Sequence, residues 1–168
     1  ADAGMTLNDV LSLPLLVYGI GNVGRQDDGL GPLLVDRLAE AGSAADPLLI
    51  LAHGWPESWY SWRHQMGPLA EAGYRVVAPD MRGYGGTDAP ADVAAYDIEH
   101  LVADMVGIVE AAGRETAVIV GHDWGGMVAW QFATHLPAMT DRLIILNLPH
   151  PRGLMRELQT NPEQIKNS

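Results

Sequence analysis

Val118-Ile119-Val120-Gly121-His122-Asp123-Trp124-Gly125-Gly126 has the form of a strand, a sharp G-x-D-x-G turn and the start of a helix. Apolar residues then continue at helical spacing over 124–135, and Pro137 follows. In the related G-x-S-x-G turn, the central residue is lifted above a parallel sheet as a nucleophile. Its glycines let strand and helix approach where a Cβ would clash. Asp in the central place changes the chemistry. A carboxylate attacks an alkyl carbon to form an ester, and attack on that ester's carbonyl regenerates the enzyme. Asp123 therefore points to opening an epoxide or displacing a halide, whereas a peptidase or ordinary esterase wants Ser or Cys. Asp is also a favoured helix N-cap. The flanking glycines and the apolar strand before them favour the nucleophile over the cap.

Outward from this unit, short apolar runs alternate with amphipathic stretches. Strands are expected over 15–20, 48–52, 74–78, 117–120 and 143–148. Helices are expected over 27–42, 58–72, 98–112 and 124–135, with a weaker one over 152–159 and a frayed end over 161–168. Residues 43–47 read as a linker, and 81–96, with Gly83, Gly85, Gly86 and Pro90, as a long loop. Near-continuous apolar strands alternating with helices imply a three-layer α/β/α fold around a mainly parallel five-stranded sheet. Its 168 residues suit a single domain with a real core.

Composition narrows the function. The chain has 10 Lys+Arg against 21 Asp+Glu, a formal charge of −11, which argues against nucleic acid and anionic lipid as partners. There is no Cys, so disulfides, thiolate metal sites and a Cys nucleophile are excluded. No apolar run approaches the ~18 residues of a membrane span. The first ten residues show no signal-peptide pattern, so the expected location is cytoplasmic.

A second motif supports the first. Leu49-Ile50-Leu51-Ala52 runs into His53-Gly54-Trp55-Pro56. In a fold of this kind, the loop after that strand supplies one oxyanion N–H, and the residue after the nucleophile supplies the other. These would be the amides of Trp55 and Trp124. His53-Gly54 alone reads equally well as a tight turn. Taken together, residues 53–63, the run Pro79-Asp80-Met81-Arg82-Gly83-Tyr84-Gly85-Gly86-Thr87-Asp88, residues 121–126 and Asn147-Leu148-Pro149-His150-Pro151 closely resemble an α/β-hydrolase-fold epoxide hydrolase. Haloalkane dehalogenases share the Asp turn. The resemblance runs from about Pro47 to the C-terminus.

It implies Asp123 as nucleophile and Trp55 and Trp124 as oxyanion donors. His53, Trp59, His122 and His150 are candidates for the substrate pocket. The implied substrate is a small apolar epoxide or alkyl halide, with no cofactor. In that family the His base, its orienting acid and the lid tyrosines follow the point where this chain stops, so 47–150 reads as an incomplete hydrolase core and 151–168 as the start of a lid. His135 and Asp141 are placed at the opposite end of the sheet. His150 follows the fifth strand and is the one local candidate base. Activity is therefore expected to be absent or limited to one turnover. The aromatic cluster Trp55, Trp59, Tyr60 and Trp62 lines a pocket or stays exposed and favours self-association.

The first 46 residues follow another pattern. Residues 15–31 resemble the opening of hydrogenase maturation proteases, nickel-recognising endopeptidases, and Asp28 matches their first metal-binding carboxylate. One carboxylate does not make a nickel site, and the reading favoured over it is that Asp27 and Asp28 start a helix and complement its dipole. Gly19-Ile20-Gly21-Asn22-Val23-Gly24 also imitates a dinucleotide fingerprint, without the acidic residue that should end the next strand. Unit 13–42 joined to 47–150 thus reads as a chimera. The rival readings are a nickel-dependent endopeptidase and an engineered α/β scaffold without activity.

Overall fold

A computed structural model describes residues 15–18 and 46–161. The helix expected over 27–42, most of the linker, Asp28, the glycines of 19–31 and the fray over 162–168 lie outside the described residues. The strands are β1 (Leu15–Tyr18), β2 (Leu48–Ala52), β3 (Arg75–Val77), β4 (Ala117–His122) and β5 (Thr140–Leu146). The helices are α1 (Arg63–Glu71), α2 (Ile98–Ala111), α3 (Trp124–His135) and α4 (Pro151–Thr160). The strands form one parallel sheet in the order β1-β5-β4-β2-β3. The α/β class expected from the alternating pattern is what forms.

Both faces of the sheet are covered, which is why its strands lack polar alternation. Leu48, Ile50 and Ala52 of β2 pack with Ile119 of β4, Met105 and Val109 of α2, and Val128 and Phe132 of α3. Leu49 and Leu51 face the other way, against Trp62, Leu69 of α1 and Tyr74. Each fully buried Leu, Ile, Val or Phe contributes about 1.5–3 kcal/mol of hydrophobic stabilisation.

Boundaries differ from the expected ones where side chains intervene. The stretch 58–72 is a 3-10 turn, Trp59–Trp62, followed by α1, because the Ser58 hydroxyl caps the turn by accepting the Tyr60 N–H. Part of the expected loop is a second 3-10 turn, Val93–Tyr96, capped by Asp92. Strand β5 starts at Thr140 and stops at Leu146, where Asn147 takes a positive φ of 60° and turns the chain out of the sheet. α4 begins at Pro151, a residue preset for the first helical position.

The strand order locates a crevice. From β2 the chain moves outward to β3; from β4 it moves the opposite way to β5. The switch point therefore lies between β2 and β4, and ligands of open α/β sheets bind outside the carboxyl ends of such strands. Those two ends carry His53-Gly54-Trp55 and His122-Asp123-Trp124.

Candidate active site

Asp123 stands on the turn between β4 and α3 with φ 52° and ψ −120°. That backbone is strained for a residue with a Cβ, at a cost on the order of 1–3 kcal/mol. Its side chain makes no capping bond to α3. Capping, the competing reading of this Asp, is thus not its role. Instead Oδ1 accepts the Trp55 N–H at 2.9 Å, across the switch point.

Glycines make this approach possible. A Cβ on Gly121 would lie 2.4 Å from the Gly125 carbonyl oxygen, and one on Gly125 would lie 2.3 Å from that of Ala52. A Cβ on Gly54 would meet the Asp123 Cβ at 2.6 Å. The β4 end, the α3 start and the β2 loop are thereby pressed together. Trp124 is the first residue of α3, so its N–H has no acceptor within the helix. The site thus offers a carboxylate, one amide already bonded to it and a second amide beside it.

Of the expected pocket histidines, His53 and His150 are engaged elsewhere, and His122 stays beside Asp123. His53 is only 1% exposed. Its Nε2 accepts the Met81 N–H at 2.9 Å, so the ring proton sits on Nδ1 and is donated to the Gly54 carbonyl at 2.8 Å. Its ring meets Tyr84 edge-on. His53 therefore braces the two loops and does not line a pocket, because both ring nitrogens are consumed by backbone. His122 adjoins Asp123, half-buried, with Nδ1 3.4 Å from Glu57 Oε2. His150 packs edge-on against Trp130, and its Nδ1 accepts the Arg152 N–H at 3.1 Å, capping α4. Among the described residues no histidine is bonded to Asp123. His135 closes α3 with its ring on the Gln131 carbonyl, at the far end of the sheet as expected. Asp141 is the second residue of β5 rather than a residue before it.

Burial, and then the Arg152 charge, hold the His150 pKa below its ordinary 6.5. The unfolded chain thus takes up this proton first as pH falls. The contribution is complete above 6.5 and is lost as pH drops toward the lowered folded value. Protonation also fills the nitrogen that accepts the Arg152 N–H. Intrinsic-rate-corrected amide exchange over 152–154 should accelerate roughly threefold or more between about pH 7.5 and about pH 5.5. His150→Asn, a cap that does not titrate, should remove the response.

Two carboxylates escaped sequence reasoning. Asp80 accepts the Trp59 N–H at 3.0 Å and the Gly86 N–H at 3.2 Å, clamping the aromatic turn to the loop after β3. Glu57 accepts the Gly54 N–H at 3.4 Å. Both follow Pro in the motif loops, but that position does not reveal which amides a carboxylate will meet. Nearby, Arg82 grips Asp104 of α2 with two bonds, at 2.8 and 2.6 Å, and donates to the Ala95 carbonyl. Trp55 (63%), Trp59 (42%), Tyr60 (57%) and Trp124 (56%) leave an exposed aromatic rim around the site. Among the described residues no cluster of three His, Asp or Glu is disposed to hold a metal, and no helix is long and apolar enough to cross a membrane.

The chain matches the family model described as alpha/beta hydrolase fold over residues 47–165. It is 46% identical over 125 residues to epoxide hydrolase 4 of Mus musculus, covering 74% of this chain and 34% of that one. It is 57% identical over 94 residues to epoxide hydrolase A of Mycobacterium tuberculosis, covering 56% and 29%. The crystal structure of epoxide hydrolase A from Mycobacterium thermoresistibile superposes with a TM-score of 0.60 at 45% identity, covering 70% of this chain and 39% of that one. The chain thus spans less than half the length of these relatives.

Proposed function

Because the chain belongs to the alpha/beta hydrolase fold family and is similar to epoxide hydrolases over its matched part, we propose that it alkylates Asp123 with small apolar epoxides and stalls at the ester. The observation that carries this reading is the 2.9 Å bond from the Trp55 amide to Asp123 Oδ1. It differentiates the two carboxylate oxygens. Oδ1 is held by a backbone donor, which leaves Oδ2 to attack. As Oδ2 bonds to the epoxide carbon, the ring C–O bond breaks and its electron pair goes to oxygen, which takes a proton from water. The product is a hydroxyalkyl ester whose carbonyl oxygen remains on the Trp55 amide, with the Trp124 amide at hand.

Hydrolysis needs water to add to that carbonyl and a base to take the water's proton. The amides would stabilise the resulting oxyanion, but no described histidine is hydrogen-bonded to Asp123, and His122 turns its Nδ1 towards Glu57. His150 is engaged by α4 and Trp130. The ester therefore accumulates. Incubation with a styrene-type epoxide should give a single stoichiometric mass adduct that maps to Asp123 and persists for hours. Steady production of diol over many turnovers would overturn the stalled reading, and no adduct at all would overturn the nucleophile.

A further inference from the structure

The sheet is closed at one side by a strand from outside the hydrolase-like region. β1 pairs in parallel with β5, Leu15 opposite Leu143 through Tyr18 opposite Leu146. The family match starts at residue 47, so β1 lies before it. Residues 19–47 separate β1 from β2, yet β1 does not pair with β2; two strands, β5 and β4, stand between them.

The β5 edge needs a partner on physical grounds. Leu143, Ile144 and Ile145 are no more than 1% exposed, and Leu146 is 8% exposed. This is the composition of an internal strand, whereas exposed edges are blunted by charge, Pro or bulges. The charges of β5, Asp141 and Arg142, lie only at its start, before the stretch that β1 covers. The direction of winding gives the same result. The chain passes from β4 outward to β5, so a chain continuing in that sense would lay its next parallel strand on this edge.

We infer that the outer edge of β5 is a strand-docking interface and that β1 is its separable occupant, a plug that keeps the edge from pairing with another chain. The ligand chemistry of the interface is a short, uninterrupted apolar segment running parallel to β5, which Leu15-Leu16-Val17-Tyr18 supplies. β1 belongs to the same chain as β5, so their pairing is intramolecular and outcompetes micromolar segments added in trans. Backbone pairing holds it there, and proline removes the N–H that pairing requires. Successive N–H groups of a strand point to opposite sides, so a Leu16→Pro/Val17→Pro double variant removes at least one bond to β5 whichever residue faces it.

The experiment uses the full chain. In the double variant, exchange of the alternate amides within 143–146 that face β1 should rise roughly tenfold or more, while the β5 amides that face β4, β2 and the 118–120 amides of β4 keep their protection. A peptide of residues 13–20 with a solubilising lysine tail should bind the variant saturably and restore the β5 protection. It should not bind the native chain at the same micromolar concentrations. Unchanged exchange over 143–146 would overturn the plug. Simultaneous loss of protection through β2 and β4 would overturn its separability, and a peptide that fails to restore protection would overturn the docking interface.

Discussion

Asp123→Asn should abolish covalent labelling by epoxide, lowering adduct formation on the order of 10²-fold or more while leaving the fold intact. The amide side chain has the size of the carboxylate, so the packing of Gly54 against its Cβ is retained. What it lacks is the negative oxygen pair. The Trp55 N–H still finds a carbonyl oxygen to bond, but the group facing the epoxide is then an amide nitrogen with no useful nucleophilicity. Intact mass after incubation reads the result directly. Thermal unfolding should shift little, because a strained turn tolerates Asn as well as Asp. Undiminished labelling of the variant would place the nucleophile elsewhere. An adduct mapping to a surface carboxylate in both proteins would do the same.

Gly125→Ala should be among the most damaging single-methyl changes at the described glycines. The new Cβ would lie 2.3 Å from the Ala52 carbonyl oxygen and 2.6 Å from that of His53. Both are backbone atoms of β2 and its exit, held by the β2 ladder to β4, so no side chain can rotate away. Relief requires α3 to withdraw from the sheet. That would open the contacts of Val128 and Phe132 and pull the Trp55 amide from Asp123. A loss of about 3 kcal/mol or more is expected, a large part of the 5–15 kcal/mol typical of a domain. Chemical denaturation checks it. Gly107→Ala is the control: its added Cβ meets nothing within 4 Å, and in the interior of α2 it should be neutral or stabilising by up to about 1 kcal/mol. Equal midpoints for the two variants would refute the close-packing account.

The two variants separate chemistry from architecture, and the same division describes what was legible in the residues. Helix α3 was readable to its ends, because a glycine turn before it and a proline after it punctuate the chain. Strands β2 and β4 were readable because continuous apolar runs bounded by turn residues have few other uses. The ends of α1 and β5 were less so. They depend on one hydroxyl, Ser58, and on one residue, Asn147, whose conformation departs from its usual region.

For the site, local spacing sufficed to single out Asp123, since a G-x-D-x-G turn after a strand is a local structure; the amides of Trp55 and Trp124 were proposed from the expected hydrolase architecture and the family resemblance. His53 and His150 were misjudged for a different reason. A histidine is polar, titratable and flat, and whether it faces substrate or bonds to backbone depends on groups far away in the chain. His53 finds Met81, and His150 finds Trp130; neither partner is adjacent in sequence. The clamps made by Asp80 and Glu57 escaped notice on the same grounds.

By itself, then, the sequence determined the class of fold, the turn that carries Asp123 and the chemistry a carboxylate there can perform. These are set by short-range sterics and by periodicity. Only the tertiary structure decided that β2 and β4 are neighbours, so that an amide 68 residues away points at the Asp123 carboxylate. It also decided that His53 is spent on bracing two loops and His150 on capping α4, and that β1 takes the edge of β5. Such pairings depend on which edges and ring nitrogens remain unsatisfied once the core has closed, and that is a property of the packed molecule rather than of any segment of it.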